Sequence, residues 1–188
     1  MNSSSRIYRG ISKAAWGYLL VYFDISFNGI SILPDFVGWL FFLSAIECLS
    51  EESPELRLLR PFGILLVIWS LIQWTCTVLA IPTVTVSQVL MLPVSLAELY
   101  FHFQFLTNLS SVAADRQPEG TQYHNHLLVC RTVQTVALTV TTLVVRCVPG
   151  VVPKEWTTML LLVHMGAAVF TTVTLFALRK NLTEENRQ

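Results

Sequence analysis

Charge-free apolar stretches long enough to cross a lipid bilayer recur along this chain, and nothing else in the sequence constrains its fold as much. Pro61 to Ile81 contains no charged residue, and neither does Trp156 to Leu178. A helix of about 20 such residues spans the ~30 Å hydrocarbon core. In lipid a helix closes its own backbone hydrogen bonds, whereas an isolated strand leaves them open. Composition points the same way: 53% of residues are hydrophobic and 13% charged, where soluble domains carry roughly 25% charged residues. A disordered chain, a coiled coil and an ordinary soluble enzyme are thereby excluded. With 12 basic against 12 acidic residues, no net field exists to attract a polyanion, so no nucleic-acid partner is expected.

The expected architecture is all-α: a polytopic membrane bundle of six transmembrane helices forming one integral membrane domain. The spans fall at about 10–28, 34–49, 61–81, 84–106, 127–148 and 156–178, with a polar cytoplasmic loop at 107–126. Asn28-Gly29 reads as a helix stop, because glycine accepts the left-handed conformation past a last turn. Pro34 suits the first turn of span 2, where its missing N–H is not needed. Ser53-Pro54-Glu55 reads as an N-cap, a first-turn proline and an acid at the positive end of helix 3. Span 5 is rich in Thr and Val, a strand-like composition in water, but lipid demands a helix.

Basic residues near the span ends orient the bundle. Arg6, Arg9, Lys13, Arg57, Arg60, Arg116, Arg131, Arg179, Lys180 and Arg187 fall on one side, and Arg146 and Lys154 on the other. Ten against two places both termini in the cytoplasm.

Ionisable groups at membrane depth are the candidate functional residues, since a charge in hydrocarbon costs a few kcal/mol or more unless partnered or neutralised. Glu98 and His102 are four apart and share a face of span 4 with Ser95. Their spacing suits a Glu–His pair that takes up and releases a proton or binds a cation; the competing reading is a packed polar pair. Asp24 lies near the outer end of span 1: if the helix stops at Asn28 it caps or hydrates there, and if the helix continues it needs a partner, for which His164, in the outer half of span 6, is one candidate. Gly38, Gly166, Ala167, Ala168 and Thr171 are small and let helices approach closely. Thr132, Thr135, Thr139, Thr141, Thr142, Thr171, Thr172 and Thr174 can bond back to their own helix. Ser70, Gln73 and Thr77 form a mild polar face on helix 3, expected to look towards the other helices.

No catalytic constellation, cofactor motif or metal site is expected. Cys48, Cys76, Cys130 and Cys147 form no CxxC pair. His124-Asn125-His126 supplies two histidines in a loop, short of a metal site. Glu51-Glu52 resembles the paired glutamates of an intramembrane protease family, but Pro54 interrupts it and no matching histidine helices follow.

The segment Phe27-Asn28-Gly29-Ile30-Ser31-Ile32-Leu33-Pro34-Asp35-Phe36-Val37-Gly38-Trp39 resembles a pattern in an uncharacterised group of small multi-spanning membrane proteins of Gram-positive, gut-type bacteria. The resemblance covers about the first 60 residues. It implies residence in a bacterial inner (cytoplasmic) membrane and no particular activity. In architecture alone, six short-looped spans also resemble the substrate-binding subunits of vitamin transporters. The expected function is therefore a small-molecule or ion transport component in the lipid bilayer, with a partner membrane or ATPase subunit as energy source. The alternative is a non-transporting scaffold or accessory subunit.

Overall fold

A computed structural model describes residues 3–22, 26–27, 30–31, 34–81, 84–117, 120–143 and 154–185. These form six helices: α1 (Ser3–Tyr22), α2 (Asp35–Leu49), α3 (Arg60–Val78), α4 (Val84–Arg116), α5 (Tyr123–Thr142) and α6 (Lys154–Glu185). A 3-10 segment, Pro54–Leu59, leads into α3. Two of these apolar helical stretches are long and apolar enough to cross a membrane, Pro54–Val78 and Thr158–Leu182.

Each helix packs antiparallel on its neighbour in sequence, and α6 returns against α1, so the six close into a ring. The antiparallel pairing is visible in single contacts. Arg60 and Glu47 join the adjacent ends of α3 and α2 at 2.7 Å. Phe62 meets Tyr100 between α3 and α4, with ring centroids 4.9 Å apart. Asn181 of α6 donates to the Tyr123 hydroxyl of α5 at 2.7 Å. The interior is filled by Ile7, Ile11, Tyr18, Phe42, Leu49, Phe101, Phe105 and Leu109, all fully buried.

Several boundaries differ from those expected. Residues 107–116, read as the start of the polar loop, continue α4 to Arg116. Their hydroxyls bond within the helix, Thr107 to the Phe103 carbonyl and Ser110 to the Thr107 carbonyl. His124 and His126 stand in the first turns of α5 rather than in a loop. After α1 ends at Tyr22, Ser26 pairs with Ser31 and Phe27 with Ile30 in a two-residue antiparallel ladder. Asn28-Gly29 separates Phe27 from Ile30, and Asn-Gly is the dipeptide most favoured between hairpin strands. It was read as a helix stop, but Asn28 and Gly29 themselves lie outside the described residues, as do Asp24 and Arg146. Pro34 is the extended residue just before α2, and Asp35 places its charge in the first turn. Ser53 precedes the 3-10 segment in an extended conformation but makes no side-chain cap bond.

The threonine-rich composition of α5 and α6 is reconciled with helix by back-bonding. Thr132, Thr135, Thr139, Thr171, Thr172 and Thr174 each donate to the carbonyl four residues earlier, at 2.7–3.0 Å. Their hydroxyls thus need no partner outside their own helix. Ser70 and Thr77 do the same on α3, donating to Leu66 and Gln73. Ser70 and Gln73 are half-buried and Thr77 is exposed, so the mild polar face turns only partly inward, and two of its hydroxyls are satisfied locally.

Helix α3 ends on a left-handed residue. Ala80 has φ +50°, while Ile81 N–H donates to the Cys76 carbonyl at 2.9 Å and Ala80 N–H to Thr77 at 3.2 Å. Glycine usually occupies this position, because a Cβ there costs roughly 1–2 kcal/mol. Ala80→Gly is therefore expected to stabilise the folded protein by about 1 kcal/mol, read as a higher unfolding midpoint in detergent. An unchanged or lower midpoint would show that α3 does not end this way.

Packing is uneven along the bundle axis. At one end lie the α1 amino terminus, the α2–α3 connection and the carboxyl ends of α4 and α6, tied by Arg6–Glu51, by Arg60–Glu47 and by Arg116–Glu52 at 3.0 Å. Arg179 donates to Ser12 at 3.1 Å and covers the Phe176 ring at 4.9 Å. From this basic end the buried residues extend to a common level: Tyr18, Gly38, Leu66, Ser95, Ala137 and His164. Beyond it no described side chain of α3, α5 or α6 is buried.

Candidate functional site

His102 occupies the centre of the ring. It is 1% exposed and projects from α4 towards two tyrosines of α1. Its Nε2 lies 3.0 Å from the Tyr22 hydroxyl and its Nδ1 3.3 Å from the Tyr18 hydroxyl. A neutral imidazole has one donor nitrogen and one acceptor, and a phenol hydroxyl can serve either. One tyrosine thus donates to His102 while the other accepts from it, and swapping tautomers reverses both bonds together.

The geometry follows from helical spacing. Tyr18 and Tyr22 are four apart, so both hydroxyls leave the same face of α1, and their rings stack at 6.0 Å. Around His102 stand Trp39 at 5.4 Å, Phe101 at 5.7 Å and Phe42 at 5.8 Å between ring centroids. This aromatic wall separates the cluster from the basic end.

His164 of α6 joins the same cluster. Its ring meets Tyr22 edge-on at 4.7 Å, and it lies within electrostatic reach of His102. It is 8% exposed, and its buried Nδ1 has no hydrogen-bond partner among the described residues. Glu98, half-buried, interacts electrostatically with Tyr22 and is engaged elsewhere in the fold.

Of the four residues singled out from the sequence, the structure gathers His102, His164 and Glu98 around Tyr22. The expected Glu98–His102 pair is replaced as the main anchor of His102: both ring nitrogens face tyrosines of α1. The candidate pairing of Asp24 with His164 falls on a residue outside those described. Tyr18 and Tyr22 were missed, although two tyrosines at helical spacing in an apolar span each bring a hydroxyl that needs a partner.

A second buried polar group lies between α5 and α6. Gln134, fully buried, donates from Nε2 to the Thr171 hydroxyl at 3.1 Å, and its Oε1 has no partner among the described residues.

The remaining histidines diverge. His124 Nδ1 bonds to the Ser110 carbonyl at 2.8 Å, while His126 packs on Phe170. Among the described residues, no group of three or more His, Cys, Asp or Glu side chains can hold a metal ion. Comparison with family models, with curated proteins and with solved structures finds no match to this chain.

Proposed function

We propose that this chain crosses a bacterial cytoplasmic membrane six times, with both termini inside, and serves as a small-molecule or ion transport component. The observation that carries the transport reading is the convergence of Tyr18, Tyr22, His102 and His164, from three helices, on one point inside the ring. An aliphatic core would pack there without hydrogen-bonding demands. The polar cluster instead offers groups that change protonation or exchange partners when a solute arrives. Glu98, in reach of Tyr22, adds a carboxylate for coupling to a cation or proton. Exposed Leu, Met, Val and Phe side chains on α4 and α5 support a lipid-facing surface for helices beyond the two most apolar ones.

The basic end supports the orientation, since its arginines bind acidic and hydroxyl groups of neighbouring helices on a single side of the ring. A carboxyl-terminal reporter that works only in the cytoplasm is expected to be active, and one that works only outside to be silent. The reverse pattern would overturn the six-span topology.

Gentle affinity purification from native membranes, with mass spectrometry of all that is retained, tests transport. A bound metabolite, a stoichiometric ATPase or a second membrane subunit is expected. Glu98→Gln and Tyr22→Phe keep shape while removing a charge and a hydroxyl, and should lower metabolite retention with folded yield preserved. A lone protein holding only lipid would favour the scaffold reading. The dense ring packing around His102 gives that reading its footing, because a polar knot sealed in aromatics also locks three helices in register.

A further inference from the structure

Arg131, half-buried, carries a charge into the seam between α4 and α5 without an acid to meet it. Its guanidinium lies over the Phe103 ring at 4.8 Å, and its Nη1 donates to the Thr107 hydroxyl at 3.2 Å. Thr107 spends its own proton on the Phe103 carbonyl, so it serves the arginine only as an acceptor. The Arg131 Nε is buried and has no hydrogen-bond partner among the described residues. No described carboxylate forms an ion pair with this side chain, whereas Arg6, Arg60 and Arg116 at the basic end each hold a glutamate. Helix periodicity explains the difference. Helix α5 contains no acidic residue. On α4, Glu98 is nine positions from Thr107 and so on the opposite face, and Asp115 lies two turns beyond Thr107.

Depth and surroundings point to the missing partner. The apolar run of α4 ends at Leu106, and Thr107, Asn108, Ser110 and Ser111 follow. The Thr107–Arg131 level is therefore the basic-side edge of the hydrocarbon, where lipid phosphates begin. Leu96, Tyr100 and Phe103 are exposed at helical spacing on the face of α4 that carries Thr107, a track for an acyl chain. An arginine fork fits two oxygens of one phosphate. We infer that Arg131 binds the phosphate of an anionic phospholipid of the inner leaflet, seated in the groove between α4 and α5. Its Nε is covered while the side chain lies on Phe103, so the fork turns outward to take the phosphate, as long basic side chains reach for the interface. Ser111, exposed one turn nearer the basic end, brings a hydroxyl to the headgroup. The anionic lipids of a cytoplasmic leaflet supply the ligand. The inference rests on the six-span topology and not on transport.

The test uses the full chain, purified in an uncharged detergent and followed by its unfolding midpoint. Phosphatidylglycerol added to the micelles is expected to raise the midpoint by several degrees, because a ligand of the folded state alone stabilises it. Phosphatidylcholine should raise it by less than half as much, and sodium phosphate no more than sodium chloride does. Arg131→Gln should lose the preference for phosphatidylglycerol, while Arg57→Gln, exposed on the 3-10 segment, keeps it. Leu128→Glu, half-buried one turn earlier on α5, gives Arg131 a carboxylate of its own. It should lose the preference too, and stands in if Arg131→Gln fails to fold. A preference retained in either folded variant, or absent from the parent, overturns the site. Equal stabilisation by sodium phosphate overturns the lipid as its source, and a carboxyl terminus found outside overturns the inner leaflet. These midpoints involve no metabolite. A failed lipid site thus leaves the transport reading standing, and a lost preference in both variants upholds the site even in a protein that transports nothing.

Discussion

Gly38→Val is expected to be the most damaging single substitution on the α1–α2 seam. A Cβ at Gly38 would lie 2.6 Å from Val21 Cγ2, 3.0 Å from the Val21 nitrogen and 3.1 Å from the Gly17 carbonyl oxygen. The last two are backbone atoms and cannot step aside, so α2 must move off α1. Overpacking costs about 1–3 kcal/mol where side chains can adjust, and a clash against backbone belongs at or above the top of that range. Fluorescence-detected size-exclusion chromatography after heating in detergent should show a clear drop in midpoint, or no folded peak. Val21→Ala should rescue Gly38→Val only in part, because the backbone contacts remain.

Two controls sharpen the result. Gly166 has nothing within 4 Å of its Cβ position, so Gly166→Val should stay within about 0.5 kcal/mol of the parent. Gly10 faces Leu49 side-chain atoms at 2.5 and 2.8 Å and the Cys48 Cβ at 3.2 Å, so Gly10→Ala should recover substantially when Leu49 is shortened to alanine. A Gly38→Val protein as heat-stable as the parent would mean that α1 and α2 do not meet along this seam.

That contrast also shows how far the sequence could be read. Gly38 was legible as a close-approach residue, yet Gly166 carried the same compositional signal and turns out exposed. The difference is which face a small residue occupies, and helical spacing alone does not say which face meets a neighbour. Gly10 and Gly17 were overlooked, although with Ala14 they form a run of small residues at intervals of four and three along α1. Six helices were legible because a charge-free run of that length has few alternatives. Their ends were less so: Thr107 and Ser110 look like loop residues until their hydroxyls are seen returning to the helix backbone. Asn28-Gly29 carries two opposed signals, a helix stop and a hairpin connection, and spacing alone does not choose between them.

The candidate site was half legible for a related reason. A histidine or glutamate in an apolar run stands out by its cost, so His102, His164 and Glu98 could be named. A tyrosine does not, because its ring is at home in a core and only its hydroxyl asks for a partner. The Glu98–His102 expectation used the i, i+4 rule within one helix. The structure brings the same rule into play on α1, where Tyr18 and Tyr22 present two hydroxyls to one imidazole across the ring.

His102→Leu should accordingly cost more than the loss of two hydrogen bonds. It leaves the Tyr18 hydroxyl, fully buried, and the Tyr22 hydroxyl without the partner they share, at about 1–3 kcal/mol for each stranded group. Tyr18→Phe or Tyr22→Phe alone strands only one imidazole nitrogen and should cost about half as much. The triple variant Tyr18→Phe, Tyr22→Phe, His102→Leu removes every member of the set, and should regain much of the stability lost by His102→Leu, since replacing both partners by apolar groups is close to neutral. Unfolding midpoints of the parent and these four variants in one detergent make the comparison. If the triple variant is less stable than His102→Leu, the imidazole is not held by these tyrosines. If the triple variant is as stable as the parent but no longer retains the co-purified metabolite, the cluster is dispensable for the fold and required for binding. A scaffold predicts the opposite order, with stability lost as the knot is removed and no ligand to lose.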